Sequence, residues 1–348
     1  MRFERSISAV DSHTQGNPTR VVVGGFPYIP GKTMMEKLNY VEENYDDLVT
    51  GILWEPRGHD DMFIAIVTPP TSPGADFGII YRGAYDYMTM CGHGTIGAVT
   101  VAVETGLVKA QEPITTVRVD TPSGLVTTRA KVEGGTAKSV TIRNVPSFLY
   151  KRDVVAEVPG VGRVTGDLSY GGDFYFILDS AELGLDLDGV DIDDLIKISG
   201  KVKDYVVKQN TVQHPEIRDI KELHGIIITG SPHHPEASYR TLYISGTHID
   251  RSPCGTGTCA KMASLHARGE LRLNDELVTE SILGSIYRGK IVDETHVGGL
   301  KAIIPELTGQ AWIMGFNTLL INPDDPFKYG FRVRERIVKS TNPKPCNS

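Results

Sequence analysis

Two short segments constrain this 348-residue chain more than anything else in it. Met90-Cys91-Gly92-His93-Gly94-Thr95 opens an apolar stretch that stops at Gly106. Pro253-Cys254-Gly255-Thr256-Gly257-Thr258 opens another that stops at Gly269. Both read Cys-Gly-X-Gly-Thr, then about ten helix-forming residues closed by a glycine. Each Cys stands 15 residues before its closing glycine, and the two copies lie 163 residues apart. The simplest origin is two related halves, each presenting one Cys at the start of a helix.

A thiol at a helix N-terminus faces unsatisfied backbone N–H groups and the positive end of the helix dipole, so its pKa is expected to fall. The flanking glycines let the backbone approach a ligand closely and turn N–H groups inward, a seat for a carboxylate. Two such units meeting about a pseudo-twofold axis place two thiols on opposite sides of one bound anion. Racemisation at carbon needs that geometry, because a base removes a proton from one face while an acid delivers one to the other. Two other readings compete: thiols that only pack, and a redox dithiol, although neither site has the Cys-X-X-Cys spacing. Cys259 and Cys346 lack the motif and read as ordinary thiols.

The rest of the chain reads as a mixed, largely antiparallel α+β fold. Short runs rich in Val, Ile, Tyr and Thr predict strands at Arg20–Val23, Met62–Thr68, Phe77–Arg82, Thr115–Val119, Phe174–Leu178, Gly225–Thr229, Tyr239–Ser245 and Ala311–Met314. Helical patterns are fewer: Gly31–Tyr45, Ile96–Thr105, Leu195–Gln209 and Cys259–Arg268. No regular βαβ alternation appears, which disfavours a doubly wound sheet. The 37 glycines exceed the ~7% of ordinary usage and fit many tight turns.

A net charge of −7 argues against non-specific attraction to nucleic acid or anionic lipid. Four Cys are too few for a disulfide scaffold. No apolar run reaches the ~18 residues of a membrane span, and the N-terminus lacks a signal-peptide stretch. A cytoplasmic location is expected, with reduced thiols. The tail, Lys339–Ser348, is expected to be frayed.

MCGHGTIG and DRSPCGTGT, together with HTQGNPTR, GILWEPRG, EPRGHDDMF and IMGFNT, resemble the proline racemase family over essentially the whole chain, from Asp11 to Phe331. The resemblance implies a cofactor-independent, diaminopimelate epimerase-like fold: two pseudo-symmetric domains, each a curved, mostly antiparallel sheet around a central helix, with the substrate in the cleft between them. Residues 1–146, completed by 317–348, would carry Cys91, and residues 147–316 would carry Cys254. It also implies a homodimer, with Cys91 and Cys254 as the acid/base pair. Backbone N–H groups of Gly92, His93, Gly255 and Thr256 would hold the substrate carboxylate. Asp250 and the His93 side chain would meet the ring amine.

Within the family, trans-3-hydroxyproline dehydratases carry Thr where Cys254 stands, so the second Cys favours two-base inversion. Phe63 resembles the apolar wall expected against an unsubstituted pyrrolidine. Gly94 stands where some proline racemases show Asn. Ser245 replaces a bulky aromatic, and with His224 it offers a hydroxyl a partner, which keeps 4-hydroxyproline 2-epimerase as the alternative to proline racemase. A non-catalytic imino-acid-binding protein is the alternative of another class. His59-Asp60-Asp61 reads as turn hydrogen bonding rather than a metal site, and His233-His234 as a surface loop. Gly171-Gly172-Asp173 reads as a close backbone approach to the cleft or as a plain turn, and the family more often shows Asn at Asp173. No metal, cofactor, nucleic-acid or membrane partner is expected.

Overall fold

The computed structural model describes residues 3–333; the Lys339–Ser348 tail and Cys346 lie outside them. Among the described residues no helix is long and apolar enough to cross a membrane.

The strands pair in two series that take the same steps. In the first, β1 (Arg5–Thr14) and β2 (Asn17–Gly24) form a hairpin, and β2 runs parallel to β3 (Ile64–Thr68). β3 is antiparallel to β4 (Phe77–Arg82), which pairs antiparallel with β5 (Tyr87–Met88) and parallel with β6 (Ile114–Thr121). β7 (Gly124–Glu133) and β8 (Thr136–Arg143) follow as antiparallel neighbours. In the second series β10 (Gly162–Tyr170) pairs with β11 (Phe174–Asp179), and β11 runs parallel to β12 (Leu223–Gly230). β12 is antiparallel to β13 (Tyr239–Ser245), which pairs antiparallel with β14 (His248–Ile249) and parallel with β15 (Glu276–Glu280). β16 (Ile286–Val297) and β17 (Leu300–Gly309) complete it. The flanking strands match too: β9 (Ser147–Val158) pairs with β10 as β18 (Ala311–Ile321) pairs with β1.

The α+β class expected from the sequence holds, with four parallel pairs among antiparallel ones. The expected edge after residue 146 falls between β8 and β9, both of which pair with β17. The edge after 316 lies inside β18, which pairs with β1 from Ala311 to Ile321.

Turn chemistry repeats with the strands. Gly134-Gly135 closes the β7–β8 hairpin at φ 59° and 74°, and Gly298-Gly299 closes β16–β17 at 52° and 87°. Two consecutive positive φ values are what a two-residue hairpin turn needs, and glycine adopts them without a Cβ penalty. Several long strands escaped the sequence reading because one face is polar. β7, GLVTTRAKVE, alternates buried Val126, Thr128, Ala130 and Val132 with exposed residues, so it has the period of a strand but no apolar run.

Each series holds two helices. α1 (Met34–Leu53) and α3 (Ile192–Gln209) are amphipathic and lie outside; α2 (Gly92–Glu104) and α4 (Gly255–Ala267) are the buried ones. α1 begins at its cap Thr33, whose hydroxyl accepts from Glu36 N at 3.1 Å, and it runs eight residues past the predicted end. Val49, Ile52 and Leu53 are all fully buried, and that burial carries the helix through a polar stretch. α2 packs against β1, β2, β8 and β18, and α4 against β9, β10 and β17. Ile96, Val99 and Val101 of α2 have no exposed surface; burying each contributes about 1.5–3 kcal/mol. Both buried helices start four residues before their predicted first residues, because the glycines that depress helix propensity form the first turn.

Candidate active site

The two repeated motifs build one place. Cys91 is the N-cap of α2, and its sulfur accepts from Gly94 N at 3.5 Å. Cys254 is the N-cap of α4, with its backbone at φ 60°, ψ 96°, a sparsely populated conformation for any residue but glycine. The Thr that ends each motif bonds back: Thr95 Oγ1 donates to Cys91 O at 2.6 Å, and Thr258 Oγ1 to Pro253 O at 3.2 Å.

The helix starts touch each other. A methyl group on Gly92 would stand 2.8 Å from the Gly255 α-carbon, and one on Gly255 would stand 2.9 Å from the Gly92 α-carbon. That contact is why glycine follows Cys in both motifs. It also aims two positive helix ends at the same small volume, which favours an anion there. Gly94 leaves room for the Phe63 ring, 2.8 Å from where its Cβ would lie, and Gly257 for the Cys254 sulfur at 2.6 Å.

All ten residues singled out from the sequence line one cavity at this junction: Cys91, Gly92, His93, Cys254, Gly255, Thr256, Asp250, Phe63, Ser245 and His224. Phe63 packs edge-on against His93, ring centroids 4.4 Å apart. The Thr256 hydroxyl bonds Tyr175 at 2.6 Å. Ser245 Oγ donates to His224 O at 3.0 Å. His224 lies parallel to Tyr243, and burial holds its pKa down at about 4, leaving it neutral. The sequence reading missed Tyr85, Asp86, Met88, Tyr175, Tyr243 and His248 on the same walls. Tyr85, Asp86 and Met88 sit just upstream of Cys91, and that proximity was the available signal.

The expected lowering of the two thiols does not hold in this buried site. Burial pushes both Cys91 and Cys254 well above the ordinary thiol value, and the nearby Asp250 carboxylate adds to it. The Gly94 N–H opposes the rise at Cys91 without reversing it. Desolvation of a thiolate outweighs one helix end when no counter-charge is bound. Asp250 is raised by burial as well, although Ser252 N donates to its Oδ1 at 2.8 Å. A buried carboxylate in that state favours a cationic guest.

Gly171 and Gly172 approach α4 closely rather than the cavity: a methyl on Gly171 would stand 2.1 Å from Thr256 O. Asp173 takes the Thr89 hydroxyl on Oδ1 at 2.8 Å, while its buried Oδ2 has no hydrogen-bond partner. Burial raises its pKa to about 7. A carboxyl raised on folding destabilises the native state once the unfolded chain ionises. This group therefore subtracts stability as pH climbs from about 4, and the loss levels off above about 7. Asp173→Asn is expected to remove that slope, gaining stability over the parent at pH 8 but not at pH 4; urea titrations at both pH values measure it.

His59-Asp60-Asp61 does the hydrogen-bonding work expected of it. Asp61 accepts from Arg251 at 2.7 Å and pairs with His248 at 3.2 Å, tying this turn to the second motif. His233 lies exposed in its loop, 2.9 Å from Asp188. Cys259 is buried in α4 outside the cavity lining. No cluster of three His, Cys, Asp or Glu suited to a metal occurs among the described residues.

The family model for proline racemase matches residues 9–332. A proline racemase from Clostridioides difficile is 48% identical over 332 residues, 95% of this chain and 99% of that protein. A 4-hydroxyproline 2-epimerase from Streptosporangium roseum is 45% identical over 331 residues, covering 95% and 99%. Among solved structures, a hydroxyproline epimerase from Agrobacterium vitis with bound trans-4-hydroxy-L-proline superposes with a TM-score of 0.92 at 30% identity, covering 96% of this chain and 97% of that one. With both Cys-Gly-X-Gly-Thr helix starts inside the matched region, the chain belongs to the proline racemase family.

Proposed function

We propose that the chain is a cofactor-independent racemase interconverting L- and D-proline, with Cys91 and Cys254 as acid and base on opposite faces of the α-carbon. One observation carries the reading: two buried thiols line one small cavity, each at the N-cap of a buried helix, where the helix starts touch through Gly92 and Gly255. Binding alone needs no thiol, and a symmetric site suits a reaction whose two directions are mirror images.

In this reading the carboxylate sits on the N–H groups of Gly92, His93, Gly255 and Thr256, and the ring ammonium meets Asp250. The ammonium lowers the energy of the carbanion, and the amides stabilise the charge that grows on the carboxylate oxygens. One sulfur, as thiolate, takes the α-proton, and the other thiol gives its proton to the opposite face. The two thiols thereby exchange roles, and a second turnover from the other enantiomer restores them. The two strand series act as two units, and their closure excludes water, so that these dipoles act at low dielectric. The polar Ser245 and His224 on the same wall favour 4-hydroxyproline as a second substrate reading. A homodimer is supported by β18, where Trp312, Met314, Phe316 and Leu320 stand exposed at alternate positions.

Proton NMR in D₂O with a thiol reductant tests the assignment, using L-proline and trans-4-hydroxy-L-proline separately. Loss of the proline α-proton with appearance of the D-enantiomer is expected. Exchange of the hydroxylated substrate alone, with a new diastereomer, makes the chain a 4-hydroxyproline 2-epimerase. Exchange of neither leaves a binding protein and overturns the proposal.

A further inference from the structure

Asn17, the first residue of β2, is fully buried and does not line the cavity. Its Oδ1 accepts from the backbone N–H of Arg251 at 3.1 Å, and its Nδ2 lies 3.0 Å from His93 Nε2. On the other side of the imidazole, His93 Nδ1 lies 3.2 Å from Cys91 Sγ.

The donor and acceptor roles along this chain follow from its far end. A backbone N–H only donates, so the amide oxygen of Asn17 must face Arg251, and its NH₂ must face His93. An amide NH₂ does not accept, so Nε2 must be the bare nitrogen. Burial holds the ring neutral, with a pKa of about 3. A neutral imidazole with Nε2 bare carries its proton on Nδ1. That proton points at the Cys91 sulfur.

We infer that Asn17 is a positioning residue: held by the Arg251 amide, it locks His93 in the Nδ1–H form, whose N–H donates to the Cys91 sulfur and favours thiolate formation there over Cys254. Cys254 has no side-chain donor of this kind among the described residues, and its sulfur packs against Gly257. The near-symmetric motifs are therefore unequal in the free enzyme. Asn17 comes from the first strand series and Arg251 from the segment leading into Cys254, so the lock exists only when the two are docked.

The inference rests on the acid/base reading of Cys91, and its test separates the two. Two-bond proton–nitrogen correlation of nitrogen-15 histidine-labelled enzyme reads the tautomer directly, with the His93 signals assigned by their loss in His93→Gln. A protonated Nδ1 and a bare Nε2 are expected; a protonated Nε2 in the parent enzyme overturns the inference. Asn17→Asp keeps an oxygen for the Arg251 N–H but turns the other group into an acceptor. It is expected to move the proton to Nε2 and to lower kcat by about 10-fold, a part of the roughly 10²–10⁴-fold of a general acid–base contribution, with KM unchanged. A merely structural role would leave the tautomer of the folded variant as it was. If racemisation survives Cys91→Ser, the acid/base reading itself fails. If that variant is inert while His93 carries its proton on Nε2, only the role of Asn17 fails.

Discussion

Replacing either Cys91 or Cys254 by Ser is expected to slow racemisation of proline by roughly 10²–10⁴-fold, the range of a positioned acid or base, and to leave proline binding nearly unchanged. Ser is close to isosteric, and both positions are buried at the helix starts. The lost property is therefore acidity rather than shape. The hydroxyl titrates far above a thiol, and burial that already pushes both thiols up pushes an alkoxide further. In the proposed mechanism each direction of inversion uses both sulfurs, one as base and one as acid. The single variants should thus fall in both directions, and the double variant should fall little below either one, the non-additivity of groups that act as a unit. The rate of appearance of the opposite enantiomer, followed separately from L- and D-proline, beside calorimetric binding, measures this. Full racemisation in either single variant would falsify the two-base mechanism; lost binding with intact racemisation per bound molecule would move the role of that Cys to the ligand seat.

Gly92→Ala is expected to cost about 1–3 kcal/mol of stability, the range for forced overpacking, and roughly 10²-fold or more in kcat/KM. Its new methyl would stand 2.8 Å from the Gly255 α-carbon and 3.3 Å from the Gly255 carbonyl carbon. Both are backbone atoms, so no flexible side chain can swing away, and the helix starts must part by several tenths of an ångström. In the proposed reading the same N–H groups seat the carboxylate, and the same caps carry the thiols, so the displacement reaches every reacting group at once. Misplacement of about 1 Å is enough for a 10²-fold loss. Gly106→Ala is the control, since nothing lies within 4 Å of its added methyl. Its positive φ of 77° costs some stability, but activity per folded molecule should stay at the parent level. Thermal unfolding and kcat/KM on the two variants separate the effects; an active, stable Gly92→Ala enzyme would mean that the helix starts do not need to touch.

What could be read from the residues was whatever a short window contains. Cys, Gly, X, Gly and Thr at equal spacing to a closing glycine marked two matched helix starts, because caps, dipoles and glycine turns are properties of about ten consecutive residues. The α+β class followed from counts of strand-like and helical runs for the same reason. The pair of Gly-Gly turns at 134–135 and 298–299 was equally visible, and it strengthens the repeat. The long hairpins β7–β8 and β16–β17 were harder to see, since half of each strand faces water and carries polar side chains.

Only the tertiary structure decided how the two starts are used. That Gly92 and Gly255 meet, that Asn17 links Arg251 to His93 across 234 residues of sequence, and that Tyr85, Asp86, Tyr175, Tyr243 and His248 complete the cavity walls all depend on pairings between distant strands. The sign of the thiol shifts was decided there as well. From sequence, a helix N-terminus promised acidic cysteines; in the folded chain, desolvation wins. The dipole of a helix start is written locally, whereas the loss of water around a sulfur belongs to everything packed against it.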